Sequence, residues 1–165
     1  MRIAMAFLFL AITSTQVCGQ ELRVDGIDVV DYGLYSASVT SAQRDAQGIL
    51  QNTSTNIEHL QTTRDVPAQI GVRFGFRFRL TGAPSGTQVQ LKKITIFPPG
   101  GLRSPASTQA ISRSESILTE TVGDEVNYTA YKFDDPWELV IGSWTIELWY
   151  GDRKLTSQEF MVFKP

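Results

Sequence analysis

From Gly142 onward the side chains alternate, with Trp144, Ile146, Leu148 and Tyr150 in one phase and Thr145, Glu147 and Trp149 in the other. Successive side chains of a strand point to opposite faces, so a period of two is what a half-buried strand requires and what a helix cannot use. Gly151-Asp152 supplies turn chemistry and Phe160-Met161-Val162 a returning strand, which predicts a closing β-hairpin. Its phase assigns Trp144 to the core and Trp149 to the opposite face. Within Gln69 to Leu80 the alternation is cleaner still: Val72, Phe74, Phe76, Phe78 and Leu80 oppose Arg73, Gly75, Arg77 and Arg79. This predicts a strand with one core face and one solvent face.

The remaining pattern is shorter and more interrupted. Leu22 to Val39 carries Val24, Ile27, Val29, Val30, Tyr32, Leu34 and Tyr35 with Gly26 and Gly33 between them. It predicts one or two strands bent at a glycine by a bulge or a close backbone approach. Residues 40 to 56 are rich in Ser, Thr, Gln and Asn and read as a polar connection, with a short strand or turn near Gly48 to Gln51. Ile57 to Thr62 reads as a further strand, and Val66-Pro67-Ala68 as extended chain. Gly82 to Gly86 is a turn by composition. Val89 and Leu91 are out of phase with Ile94 and Ile96, and a bulge at Lys92-Lys93 accounts for the extra residue. Pro98 to Pro105 reads as a loop without ladder pairing, Ala110 to Val122 as one strand, and Val126 to Phe133 as another, turned by Asp134-Asp135-Pro136. Short strands separated by turn signals, without sustained 3.6-residue periodicity, predict an all-β antiparallel sandwich.

Composition adds a compartment. Met1-Arg2, an apolar run from Ile3 to Ile12, and small and polar residues ending Val17-Cys18-Gly19-Gln20 have the form of a bacterial-style secretory signal peptide over residues 1–19, cleaved after Gly19. The apolar run is about half of the ~20 residues a membrane-spanning helix needs. Gln16-Val17 ahead of Cys18 is a poor lipoprotein match. Cleavage leaves 146 of the 165 residues as a single β-sandwich domain over 20–165, without cysteine, and 14 Lys+Arg against 17 Asp+Glu, a formal charge of −3. The expected location is periplasmic or secreted, with no membrane span in the mature chain. A mildly acidic chain gives no electrostatic reason to expect nucleic acid.

Three stretches carry a family likeness: Asp31-Tyr32-Gly33-Leu34-Tyr35, then Val66-Pro67-Ala68-Gln69-Ile70-Gly71-Val72-Arg73-Phe74-Gly75, then Gly142 to Gly151 with the closing Phe160-Met161-Val162. The chain resembles an uncharacterised exported bacterial family, domain of unknown function 3859, from about Leu22 to its end. The resemblance implies an immunoglobulin-like sandwich in the cell envelope and transfers no active site.

Candidate chemistry is sparse. His59, the sole histidine, sits in a strand-like setting without a nucleophile elbow and reads as a surface or edge residue. With no cysteine after cleavage, no zinc site is expected, and neither metal nor cofactor is assigned. Asp25, Asp28 and Asp31, and Asp134-Asp135, read as turn aspartates rather than calcium ligands. Glu115, Glu120, Glu138, Glu147 and Glu159 leave a glycosidase-like carboxylate pair open without placing one.

One surface pattern suggests ligand binding. Arg73, Arg77 and Arg79 share a strand face with a bare step at Gly75, and with Trp149 on a paired strand they would form a basic, partly aromatic platform for an anionic glycan. The plainer reading is cross-strand pairing with Glu147 or Glu159 and an indole covering Gly75. The sequence thus points to a non-catalytic binding or structural module of the bacterial envelope, with an envelope protein or anionic glycan as partner. The alternative is a glycan hydrolase.

Overall fold

The structure, a computed structural model, describes residues 22–165. The predicted signal peptide lies outside the described residues. Nine strands follow one another as β1 (Arg23–Arg44), β2 (Leu50–Gln61), β3 (Asp65–Pro67), β4 (Arg73–Ala83), β5 (Gln88–Ile96), β6 (Arg113–Thr121), β7 (Asn127–Lys132), β8 (Gly142–Tyr150) and β9 (Arg153–Phe163). A 3₁₀ turn, Pro136–Glu138, separates β7 from β8. They form a four-stranded sheet ordered β2-β1-β4-β7 and a five-stranded sheet ordered β3-β9-β8-β5-β6. Pairing is antiparallel except where β3 runs parallel to β9, Val66 opposite Val162. The sandwich expected from the alternation is the fold observed.

The core lies between the sheets. Phe74, Phe76, Phe78 and Leu80 of β4 face Trp144, Ile146 and Leu148 of β8 and Phe160 and Val162 of β9, all fully buried. Trp144 is packed among Phe97, Tyr131 and Phe133 with ring centroids 5.0, 5.0 and 5.4 Å away, and its Nε1 donates to the Val140 carbonyl at 2.9 Å. The edge-to-face arrangements suit the ring quadrupoles. Trp149 emerges on the outer side of β8, where Nε1 donates to Glu147 at 2.8 Å. Both indoles are therefore where the phase put them.

Three expectations are corrected. Residues 40 to 56 are not a connection: β1 runs unbroken for 22 residues to Arg44, and Leu50 to Gln61 returns antiparallel beside it. Leu34 is the last β1 residue paired with β4; beyond it β1 and β2 pair only with one another, and the hairpin reaches the core again at Ile49. Its bend follows the glycine rule. Gly33 has φ 135°, and a Cβ there would lie 1.9 Å from the Gln61 carbonyl oxygen. The second correction is the bulge at Lys92-Lys93. β5 pairs without interruption with β6, Gln88↔Thr121 through Ile96↔Arg113, and with β8. One phase therefore runs inward through Val89, Leu91, Lys93 and Thr95. The sequence pattern shifted because two polar residues occupy the inward phase, not because the backbone slipped. The third concerns Asp25, Asp28 and Asp31, which sit in β1 rather than in a turn. The Pro98 to Pro105 loop is pinned by one antiparallel bridge, Leu102 with Ile111.

Candidate functional site

The arginines of β4 meet three different surroundings. Arg77 makes paired hydrogen bonds to the Asp31 carboxylate across the β1–β4 pair, Nε lying 3.0 Å from each oxygen. The guanidinium holds Asp31 below the usual carboxylate range, and Tyr35 donates to the same carboxylate at 2.6 Å. Arg79 is exposed and donates to the Asp124 carbonyl at 3.1 Å. Arg73 is buried although it faces away from Phe74. Its guanidinium donates to Ser54 Oγ of β2 at 2.8 Å, so the β1–β2 hairpin has crossed over this face. Trp149 belongs to the other sheet, with the ammonium groups of Lys92 and Lys154 at 5.7 and 5.6 Å from its ring. The structure does not bring Trp149 together with the arginines. Nor do Glu147 and Glu159 pair with them: Glu147 takes Lys154 at 2.9 Å, Glu159 accepts from Ser143, and Gly75 lies against Ala130 rather than an indole.

Arg73 lines a cavity of about 500 Å³. It sits where the β7 edge of one sheet comes beside the β6 edge of the other, and Ile49 to Ser54 of the crossing hairpin close it. That arm is fastened on the far side, where Asn52 donates to Asp134 at 2.8 Å and Arg44 to Asp135 at 2.6 Å. The lining is mixed, with Ile49, Leu50, Ile117 and Leu118 beside polar side chains. Ser54, Thr53, Ser114, Ser116 and Thr119 contribute hydroxyls, and three more hydroxyls, those of Thr95, Tyr128 and Thr129, are buried without a hydrogen-bond partner. Tyr128 lies beside the Arg73 guanidinium but outside hydrogen-bond geometry, and burial pushes its hydroxyl up to about 12. Buried polar groups are nearly always satisfied in native proteins, so three orphans around one cavity are a feature to be explained.

Lys93 is the second cation. It lies on the inward phase of β5 and donates to the Ala130 carbonyl at 2.5 Å. The side chain is half-buried because it borders the cavity, while its ammonium group is enclosed by protein. Burial, and after it the charge of Arg73, lower its pKa to about 8. Among the described residues neither Lys93 nor Arg73 has an acidic partner within ion-pair distance. Glu120 lies elsewhere on the wall, its carboxyl raised to about 7 by burial and then by Glu125. Lys132, also on the wall, is neutralised by Asp134.

A buried cation without a counter-ion costs stability. The Lys93→Met variant is therefore expected to be more stable than the wild type at pH 7. The folded-state pKa of about 8 lies below the ordinary lysine value of 10.5, so the penalty is fully present below pH 8 and fades as pH rises toward 10.5. Urea midpoints of the two proteins should converge over that window. A variant less stable than the wild type at pH 7 would mean that the bond to Ala130 outweighs the buried charge.

The other candidates are structural. Glu138 accepts from Tyr131 Oη at 2.9 Å and from the backbone N–H groups of Asp134 and Asp135 at 2.6 and 2.9 Å, a cap for the 3₁₀ turn. Burial raises its pKa. His59 packs on Tyr35 at 5.1 Å, and its Nε2 lies 3.1 Å from the Tyr32 carbonyl. A nitrogen that donates to a carbonyl cannot accept a proton from Thr62 Oγ1, 3.5 Å away. Among the described residues no group of three His, Cys, Asp or Glu could hold a metal ion, and no helix is long and apolar enough to cross a membrane.

Sequence reasoning reached Arg73 but missed Lys93, Thr95, Tyr128 and Thr129. A signal was present. Reading β5 in one unbroken phase from Val89 to Phe97 would have placed a lysine and a threonine on the core side.

Two facing sheets with these connections define an immunoglobulin-like β-sandwich protein. The chain belongs to the family described as domain of unknown function DUF3859, whose model matches residues 23–162. It is similar to an immunoglobulin-like protein from Pseudomonas aeruginosa of known crystal structure, with 27% identity over 88% of this chain and 99% of that one and a TM-score of 0.59. No curated protein matches the chain.

Proposed function

We propose that this protein is an exported, non-catalytic binding module of the bacterial envelope, and that the cavity beside β7 receives its ligand. The observation that carries this reading is the pair of unneutralised cations, Arg73 and Lys93, on the Ser- and Thr-bearing wall of a cavity of about 500 Å³. A purely structural interior would neutralise or omit such groups, whereas a ligand supplies their missing partners. The volume is within the range of small-molecule sites. Export rests on the signal-peptide form of residues 1–19.

The hydrolase reading needs two carboxyl groups facing a common point. Glu120 is the single acid among the described lining residues, so the cavity supplies half of that pair. Binding without turnover is the better account.

The full-length precursor, expressed in a bacterial host, tests both parts. Its intact mass is expected to begin at Gln20 or within a residue or two of it, in the soluble periplasmic fraction. A mass that retains residues 1–19, or adds acyl chains at Cys18, would overturn the export reading. Native mass spectrometry of the periplasmic protein should show a small molecule released on denaturation, or binding restored by an extract of envelope material. Protein that is empty and indifferent to such extracts would overturn the binding reading.

A further inference from the structure

We infer that the cavity selects an acidic sugar, whose acid group lies between Arg73 and Lys93 and whose hydroxyls pair with Thr53, Ser114 and Ser116 of the wall. This rests on the binding reading above and names its ligand class. The argument is one of complementary chemistry. Arg73 and Lys93 line the same cavity, each charge opposing the other, and neither has an acidic partner within ion-pair distance. An oxyanion placed between them converts that repulsion into two charge-assisted hydrogen bonds. The guanidinium is already held by Ser54, and the ammonium by the Ala130 carbonyl, so neither long side chain must be ordered on binding.

A bare anion would leave the rest of the wall unused. Ser114 and Ser116 of β6 line the cavity, Ser116 opposite Lys93 in the β5–β6 ladder, and Thr53 of β2 lines it as well. Hydroxyls both donate and accept, which is what a polyhydroxylated ligand requires of its site. An apolar ligand would leave these hydroxyls and the two cations without partners, although Ile49, Leu50, Ile117 and Leu118 offer it part of the wall.

Calorimetric titration of the mature domain with glucuronate, glucose 6-phosphate, glucose and inorganic phosphate tests the assignment. The two acidic sugars carry the acid as carboxylate or as phosphate, and the tighter of them identifies the acid group. Expected is binding by at least one of them at least tenfold tighter than by glucose or inorganic phosphate. Lys93→Met and Arg73→Gln should each weaken it tenfold or more, while Ser116→Ala weakens the sugar and leaves inorganic phosphate unchanged. Because Lys93→Met is expected to raise stability, loss of binding there is not loss of folding.

The pH dependence gives a further reading. Among the described residues the ionisable groups that share the cavity wall with Lys93 are Arg73 on β4, Glu120 on β6, and Tyr128, Tyr131 and Lys132 on β7. Of these Glu120 also titrates near neutrality, so the series is run in a Glu120→Gln background. There the affinity should fall about tenfold between pH 7 and pH 9 as Lys93 loses its proton, from a pKa of about 8. Inorganic phosphate binding as tightly as either sugar would overturn the sugar assignment and leave cavity binding standing. Binding that survives both cation substitutions would overturn the site itself.

Discussion

Replacing Trp144 with alanine is expected to cost about 3–5 kcal/mol, the range for deleting a large aromatic side chain from a packed core. The indole is fully buried and touches both sheets, through Phe74 and Tyr131 on one side and its own strand on the other. Removing it empties the contact around which Phe97 and Phe133 are arranged, and it frees the Val140 carbonyl that Nε1 had satisfied. The same substitution at Trp149 should cost about 1 kcal/mol or less. There the loss is a half-exposed hydrogen bond to Glu147 and the approach of two surface lysines. Urea unfolding of both variants measures the contrast. Equal losses, or the larger loss at Trp149, would mean that the inward face of β8 has been misassigned.

Substitution of Gly75 by alanine should be comparably damaging, about 3 kcal/mol or more, although it adds a single methyl group. A Cβ at that position would lie 2.1 Å from the Thr129 carbonyl oxygen and 2.5 Å from Ala130 Cα. Both are backbone atoms of the neighbouring strand, so relief requires β4 and β7 to separate rather than a side chain to turn. This exceeds ordinary overpacking, which displaces flexible neighbours. It would also move Ala130, whose carbonyl holds the Lys93 ammonium. Chemical denaturation and ligand titration should therefore both register the change. A loss below about 1 kcal/mol would show that the β4–β7 pair opens more easily than its backbone contacts imply.

The same segment shows how far a sequence can be read. Phe74, Phe76 and Phe78 announced a core face because apolar side chains have one favourable destination, and all three are fully buried. Arg73 and Gly75 announced a solvent face and were misleading, because burial of a polar face depends on what crosses it. What crosses it is a hairpin whose Ser- and Thr-rich sequence carries little apolar periodicity, so its strands were not legible between residues 40 and 56. Arg77 was correctly seen as an ion-pair residue, but its partner is Asp31 on β1. The alternation gives the direction of a side chain and not the identity of the strand beside it.

The sequence by itself determined the layers of this protein: an all-β sandwich, the inward phases of β4 and β8, the turn at Gly151-Asp152, and the family, through motifs spread from Asp31 to Val162. These follow from local rules, since pleating fixes alternation and glycine fixes where the chain can turn sharply. Only the tertiary structure decided the cavity. Its walls come from β2, β4, β5, β6 and β7, and its lining residues are as far apart in the chain as Ile49 and Lys132. No local pattern distinguishes a lysine facing water from one enclosed between two sheet edges. That distinction is made by sheet order, which places β6 and β7 side by side, and by the reach of the β1–β2 arm across them.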